Sequence, residues 1–151
     1  MTQYIYIASP MRLPEGSFGF NPISPEQPNV FRNELDFIHL YFENNYDREL
    51  KQRFNYSQHF SYKHQVGAYS NQIPLKNVLR KTQEEEKCLT LLYNYIEEAI
   101  QNSNIVEYFT SVNGQEDLPL SRKRSINWLD IKNPYDLVLE DRELLEITFW
   151  N

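Results

Sequence analysis

A single cysteine, Cys88, in 151 residues rules out an internal disulfide and any zinc site built from several thiolates. Glycine is nearly as scarce. The four glycines, at 16, 19, 67 and 114, match neither the dinucleotide-binding fingerprint nor the phosphate loop of nucleotide hydrolases. Ser17 has Gly19 two residues after it but Glu15 two before, so no nucleophile elbow is present. Positive charge is in deficit: 15 Lys and Arg face 21 Asp and Glu, and the net charge of −6 disfavours a general electrostatic grip on nucleic-acid phosphates. No stretch approaches the roughly 18 apolar residues of a membrane span, and no basic start followed by an apolar run signals export. A cytoplasmic protein without a membrane or nucleic-acid partner is expected. Internal repeats and low-complexity tracts are also missing.

What the chain does have is aromatic mass: eleven tyrosines and nine phenylalanines. The length suits a single domain, 1–151, with an aromatic core and half-exposed tyrosines at the surface. Proline is unevenly spread. Five of the eight lie between Pro10 and Pro28, directly after the clearest strand, residues 3–9. Phe18, Phe20, Ile23, Val30 and Phe31 punctuate this loop, which a disordered linker would not need. The loop therefore reads as an ordered segment whose aromatics cover the sheet.

Residues 30–42 leave strand and helix open. Leu35, Phe37, His39 and Tyr41 share one face of a strand, whereas Phe31, Leu35, Ile38 and Phe42 lie at helical spacing. A strand is expected over 60–69, with Gly67 marking a bulge or a close approach. The principal helix, about residues 75–102, is read from Leu89, Leu92, Tyr93, Ile96, Ala99 and Ile100. Thr82 and Glu85 fit a capping box, and Pro74 offers an earlier start. A strand over 105–112 ends at Asn113-Gly114, a tight-turn signal. A short strand over 126–131 precedes a terminal antiparallel hairpin of Leu137–Leu139 and Leu144–Trp150 turning at Asp141–Glu143. The expected fold class is α+β: a single domain with a mainly antiparallel sheet and one principal helix packed on it.

Motifs for chemistry are few. His59 and His64, five residues apart, point to opposite faces of a regular strand, so neither a metal site nor a cofactor is expected. Arg122-Lys123-Arg124 reads as a solvated loop, and Cys88 fits the apolar helix face. Ile5–Met11 resembles the opening strand and loop of nucleoside 2-deoxyribosyltransferase-like proteins. That family's later acidic catalytic segment has no counterpart here, the terminal hairpin departs from its parallel sheet, and no residue roles carry over.

Two functions compete. The first is a non-enzymatic protein-binding domain, similar in type to small acidic immunity or antitoxin proteins, with a protein partner engaged through tyrosines, the proline-rich loop and carboxylates. The alternative is a small enzyme acting on a nucleotide or other anionic metabolite through the 9–20 loop, with Arg12 binding the anion and Glu15 as acid or base. Arg12, Glu15, Ser17, Phe18 and Tyr69 are the candidate binding residues. A deep polar pocket beside Arg12 would favour the enzyme, and a flat tyrosine-rich face the binder.

Overall fold

In the computed structural model, which describes residues 2–69 and 72–150, the chain folds as α+β around a seven-stranded mixed sheet. The strands are β1 (Gln3–Ser9), β2 (Gly16–Phe18), β3 (Leu40–Asn44), β6 (His64–Tyr69), β7 (Ile105–Val112), β8 (Arg122–Asn127) and β9 (Glu143–Thr148). They lie in the order β2-β3-β6-β1-β7-β9-β8. Every pair is antiparallel except β8 with β9. A separate two-stranded ribbon, β4 (Tyr46–Asp47) with β5 (Gln52–Arg53), rises between β3 and β6. Two α-helices complete the described chain, the single-turn α1 (Glu34–Phe37) and the long α2 (Gln83–Ser103).

Strand alternation divides the core between the two faces of the sheet. On one face Ile5, Ile7, Val66, Val106, Tyr108, Leu145 and Ile147 meet Cys88, Leu89, Leu92, Tyr95, Ile96 and Ala99 of α2, all buried. Each fully buried aliphatic side chain here contributes roughly 1.5–3 kcal/mol relative to exposure. On the other face Tyr6, Phe109 and Leu144 form a smaller cluster under Tyr4, Tyr56, Phe60 and Leu120. Gly67 is opposite Tyr6 in the register, and a Cβ at Gly67 would press on that ring and on Tyr56. The close approach expected at this glycine is realised as packing of two tyrosines against bare backbone.

The ends of α2 follow local chemistry. The Thr82 hydroxyl accepts from the Glu85 amide at 3.2 Å, as a cap should. The Glu85 carboxylate reaches further back than a capping box requires, accepting from the amides of Lys81 (2.8 Å) and Arg80 (3.1 Å). Asn104 closes the helix in the left-handed conformation at φ 63°, its N–H donating to Ile100. The helix starts later than the expected residue 75. Residues Lys76–Val78 make only a 3-10 turn, Lys81 at φ 58° interrupts the chain, and Val78 faces solvent instead of extending the apolar stripe.

Four further expectations are corrected. Residues 30–42 are neither one strand nor one helix: α1 is capped by Asn33, whose side chain accepts from Asp36, and β3 begins only at Leu40. The strand expected from Phe60 starts at His64, because Phe60 instead lies edge-on against Phe109 at 6.0 Å between ring centroids. The terminal hairpin is not formed. Leu137–Leu139 is buried beside α2 at the end of a 3-10 turn started by Asn133-Pro134, and a run of three apolar residues cannot by itself distinguish these states. β9 pairs with β7 and, in parallel, with β8, so Arg122–Arg124 is an edge strand and not a loop. The buried Glu143 carboxylate accepts from Arg124 Nε at 2.5 Å, which neutralises part of that basic run.

The proline-rich loop packs only in part as expected, since Phe18 turns inward while Phe20, Ile23 and Val30 stay exposed. Tyr95 Oη donates to the Pro14 carbonyl at 2.5 Å, and Phe18 lies edge-on to both Phe42 and Tyr95. Phe20, Phe31, Phe37 and His39 form a second aromatic cluster, with Phe20 stacked on His39 at 3.9 Å. Gly19, at φ 110°, lets the backbone pass the Leu91 side chain, where a Cβ would collide. Gly19→Ala should therefore cost at least about 2 kcal/mol, from backbone strain and overpacking together. Gly114→Ala, at φ 93° but in open space, should cost about 1 kcal/mol. Urea denaturation of the two variants checks the difference; equal losses would show that the loop does not press on α2.

Candidate functional site

The chain between β3 and β6 leaves the sheet at Asn45 and returns at His64, and the side chain of Asn45 holds both ends. It is fully buried. Its Nδ2 donates to the carbonyls of Phe54 (2.6 Å) and Lys63 (2.9 Å), and its Oδ1 accepts from the Gln65 amide at 3.1 Å and from Arg53 Nη1 at 3.3 Å. Every donor and acceptor of the amide is thereby used. Gln65, also buried, repeats the device: Oε1 accepts from the Tyr56 amide, and Nε2 donates to Asn55 Oδ1 and the Tyr62 carbonyl. The ribbon tip is set by Asp47, whose Oδ1 accepts from the amides of Glu49 and Leu50, while Lys51 adopts φ 52°. Beyond the ribbon, Ser57, Gln58 and His59 bond to Glu116, Asp117 and Leu118, which fastens the excursion to the β7–β8 connection.

Two recesses of opposite character flank the ribbon, sharing Glu15, Asn44, Tyr46 and Arg48. The first, about 430 Å³, is lined by Arg12, Arg48, Arg53 and His64 above the Asn45 and Gln65 floor. Register explains why Arg12 and His64 meet. His64 pairs with Ser9 at the end of β1, from which the loop carrying Arg12 departs. Burial first, then Arg53, Lys63 and Arg12, holds the His64 imidazole below its ordinary value. Glu15 is the one carboxylate lining this recess; its Oε2 accepts from the Asn44 amide at 2.9 Å and its Oε1 lies 3.9 Å from Arg48.

The second recess, about 590 Å³, is lined by Tyr41, Tyr46, Phe54 and Tyr56 together with Glu15, Glu43, Asp47 and Glu49. Tyr56 is the fixed member, its hydroxyl donating to the carbonyls of Glu43 (2.8 Å) and Asn44 (3.0 Å) and its ring edge-on to Phe54 at 5.0 Å. Tyr41 and Tyr46 stay exposed. From Tyr56 a chain of rings continues across the open side of the sheet through Tyr6 and Tyr4 to Tyr69.

Of the five candidate residues, the structure brings Arg12 and Glu15 together in the first recess. Ser17 is exposed on β2 opposite Tyr41. Phe18 is turned into the core against Phe42 and Tyr95. Tyr69 is exposed at the far end of the tyrosine row and borders a separate recess at the start of α2. Arg48, Arg53, Tyr46, Phe54 and Tyr56 escaped the sequence reading because residues 46–58 carry no periodicity, while His64 was weighed only as a metal ligand and Tyr41 only as part of a strand face. Tyr46, Phe54 and Tyr56 within that polar stretch were the available signal, since aromatics in an otherwise hydrophilic segment need a surface to lie on.

The three histidines sit apart: His39 under Phe20, His59 on the Leu118 carbonyl and His64 in the first recess. Among the described residues no three His, Cys, Asp or Glu are arranged to hold a metal ion. Cys88 is buried under α2, which pushes its thiol up to about 11 and leaves it a core residue. Among the described residues no helix is long and apolar enough to cross a membrane. A polar recess beside Arg12 and a tyrosine-rich recess thus lie side by side. No family model, no curated protein and no solved structure matches this chain.

One buried acid lies outside both recesses. Glu107 is opposite Glu146 in the β7–β9 register and accepts from the Ser61 amide at 2.7 Å. Burial raises its carboxyl above the ordinary 4.5, the Ser61 bond opposes this, and Glu146 adds to it. A raised acid holds its proton longer in the folded state than in the unfolded one, so folding loses stability as pH climbs from about 4.5 through the raised value. Urea midpoints of wild type and Glu107→Gln should therefore converge near pH 4 and separate in favour of the glutamine variant by pH 7. A gap independent of pH would contradict this.

Proposed function

We propose that this chain is a protein-binding domain, in type similar to small acidic immunity or antitoxin proteins, whose partner inserts a lysine or arginine into the aromatic recess beside the ribbon. The observation that carries the reading is the composition of that recess: four aromatic rings and four carboxylates around about 590 Å³. A guanidinium or ammonium entering it would lie over tyrosine faces and bond to carboxylates in one geometry. Fixed backbone bonds to Tyr56 reduce the ordering cost of forming such a pocket. The net charge of −6 favours encounter with a basic protein over longer range.

Exposed Tyr41, Tyr46 and Phe54 supply rigid apolar area around the recess, and Tyr69 at the end of the ring row extends the face. Arg48, whose side chain is 85% exposed and tied only loosely to Glu15, is free to yield its place to an incoming cation. Capture from native lysate with wild type, Glu43→Lys and Glu140→Lys baits tests the reading, with crosslinks mapped by mass spectrometry. The expected result is one partner crosslinked around Tyr41–Tyr56, bound about tenfold more weakly by Glu43→Lys, the equivalent of about 1.4 kcal/mol, and equally by Glu140→Lys. Failure to retain a specific partner, or equal capture by all three baits, would sink it.

A further inference from the structure

The first recess shares a wall with the second but is a different chemical object. In an acidic protein it gathers three arginines and a histidine against one carboxylate. At the edge of β8 the cations are answered: Arg124 and Lys76 converge on the buried Glu143, and the recess beside them also holds Asp130 and Asp136. Around Arg12 they are not. Among the described residues Arg12 has no hydrogen-bond or ion-pair partner, the His64 ring has no hydrogen-bond partner, and Arg53 spends a single N–H on Asn45. Arg48 lies 3.9 Å from Glu15, whose other oxygen is taken by the Asn44 amide.

We propose that this recess binds a phosphoryl group, free or as a small monoester, between the guanidinium groups of Arg12 and Arg53 with His64 beneath. Guanidinium N–H groups are directed at oxyanions in pairs, and Arg53 is already oriented by its bond to the buried Asn45. Charge selects a dianion over a single carboxylate. Glu15 offsets one of the three arginines, two positive charges remain unanswered, and protonation of His64 would add a third. The volume of about 430 Å³ exceeds that of an inorganic phosphate and leaves room for the organic part of an ester.

The imidazole reports occupancy. Burial and the positive charges of Arg53, Lys63 and Arg12 keep His64 below its usual value, while Glu15 and Arg48 line the same space. A bound dianion reverses the sign of the local field, so the histidine should take up a proton more readily and anion affinity should rise as pH falls. Sulfate is the suitable probe for this, because its charge is constant between about pH 5 and 8.

The experiment pairs histidine NMR with calorimetry on the full chain. His64, assigned by His64→Asn, should titrate at higher pH in sulfate than in chloride of equal ionic strength, while His39 and His59 stay put. Inorganic phosphate should bind, acetate should not, and Arg12→Ala should weaken phosphate at least tenfold without changing the melting temperature. Arg122→Ala should leave phosphate affinity unchanged, and Glu43→Lys, which weakens the protein-binding face, should not lower it, which separates the two sites. Glycerol phosphate binding more tightly than phosphate would assign the remaining volume to an ester; equal affinities would assign a free oxyanion. An unmoved His64, acetate binding as well as phosphate, or an Arg12→Ala variant with wild-type affinity would overturn the proposal.

Discussion

The buried side-chain amide of Asn45 is the constraint on which the functional surface depends. A connection that runs from Asn45 to Lys63 with only a short two-stranded ribbon of its own has little reason to stay put, yet four hydrogen bonds to one amide fix its departure, its midpoint and its return. Buried amide networks of this kind are valuable only when complete, since each orphaned group costs about 1–3 kcal/mol. Here the completed network orients Arg53 at the wall of one recess and brings Phe54 and Tyr56 to the wall of the other. The two opposite charge patterns are thus consequences of a single local arrangement.

The sheet supplies the platform. Because α2 covers one face, the other is left to irregular chain, and it is this face that carries the tyrosine row and the excursion resting on it. Tyrosine suits such a boundary, with a ring that buries area and a hydroxyl that finds a carbonyl or water. The proline-rich loop does a related service at the sheet edge. Anchored through Pro14 and Phe18, it delivers Arg12 and Glu15 to the end of β1, where β6 starts.

Legibility in the sequence tracked the distance over which the information lay. β1, α2 with its Thr82 cap, β7 and the Asn113-Gly114 turn are written in local periodicity and capping residues, and all were readable. Leu137–Leu139 was misread because an apolar triplet is buried equally well as a strand or as a turn under a helix. Arg122–Arg124 looked like a solvated run because its buried partner, Glu143, is distant in sequence. The site was half readable. Arg12 and Glu15 stood out within an unusual loop, whereas Arg53 and His64 gain their meaning from Asn45 and from the pairing of His64 with Ser9, neither of which leaves a periodic trace.

Both recesses require the excursion between β3 and β6 to be as firmly held as the sheet beneath it. Amide hydrogen exchange resolved to single residues tests this most directly. The amides of Phe54 and Tyr56, outside the main sheet but bonded to the Asn45 carbonyl and to Gln65 Oε1, should exchange as slowly as those of β3 and β6. Exchange of these two amides at the rate of an unstructured peptide, with the strands still protected, would contradict it.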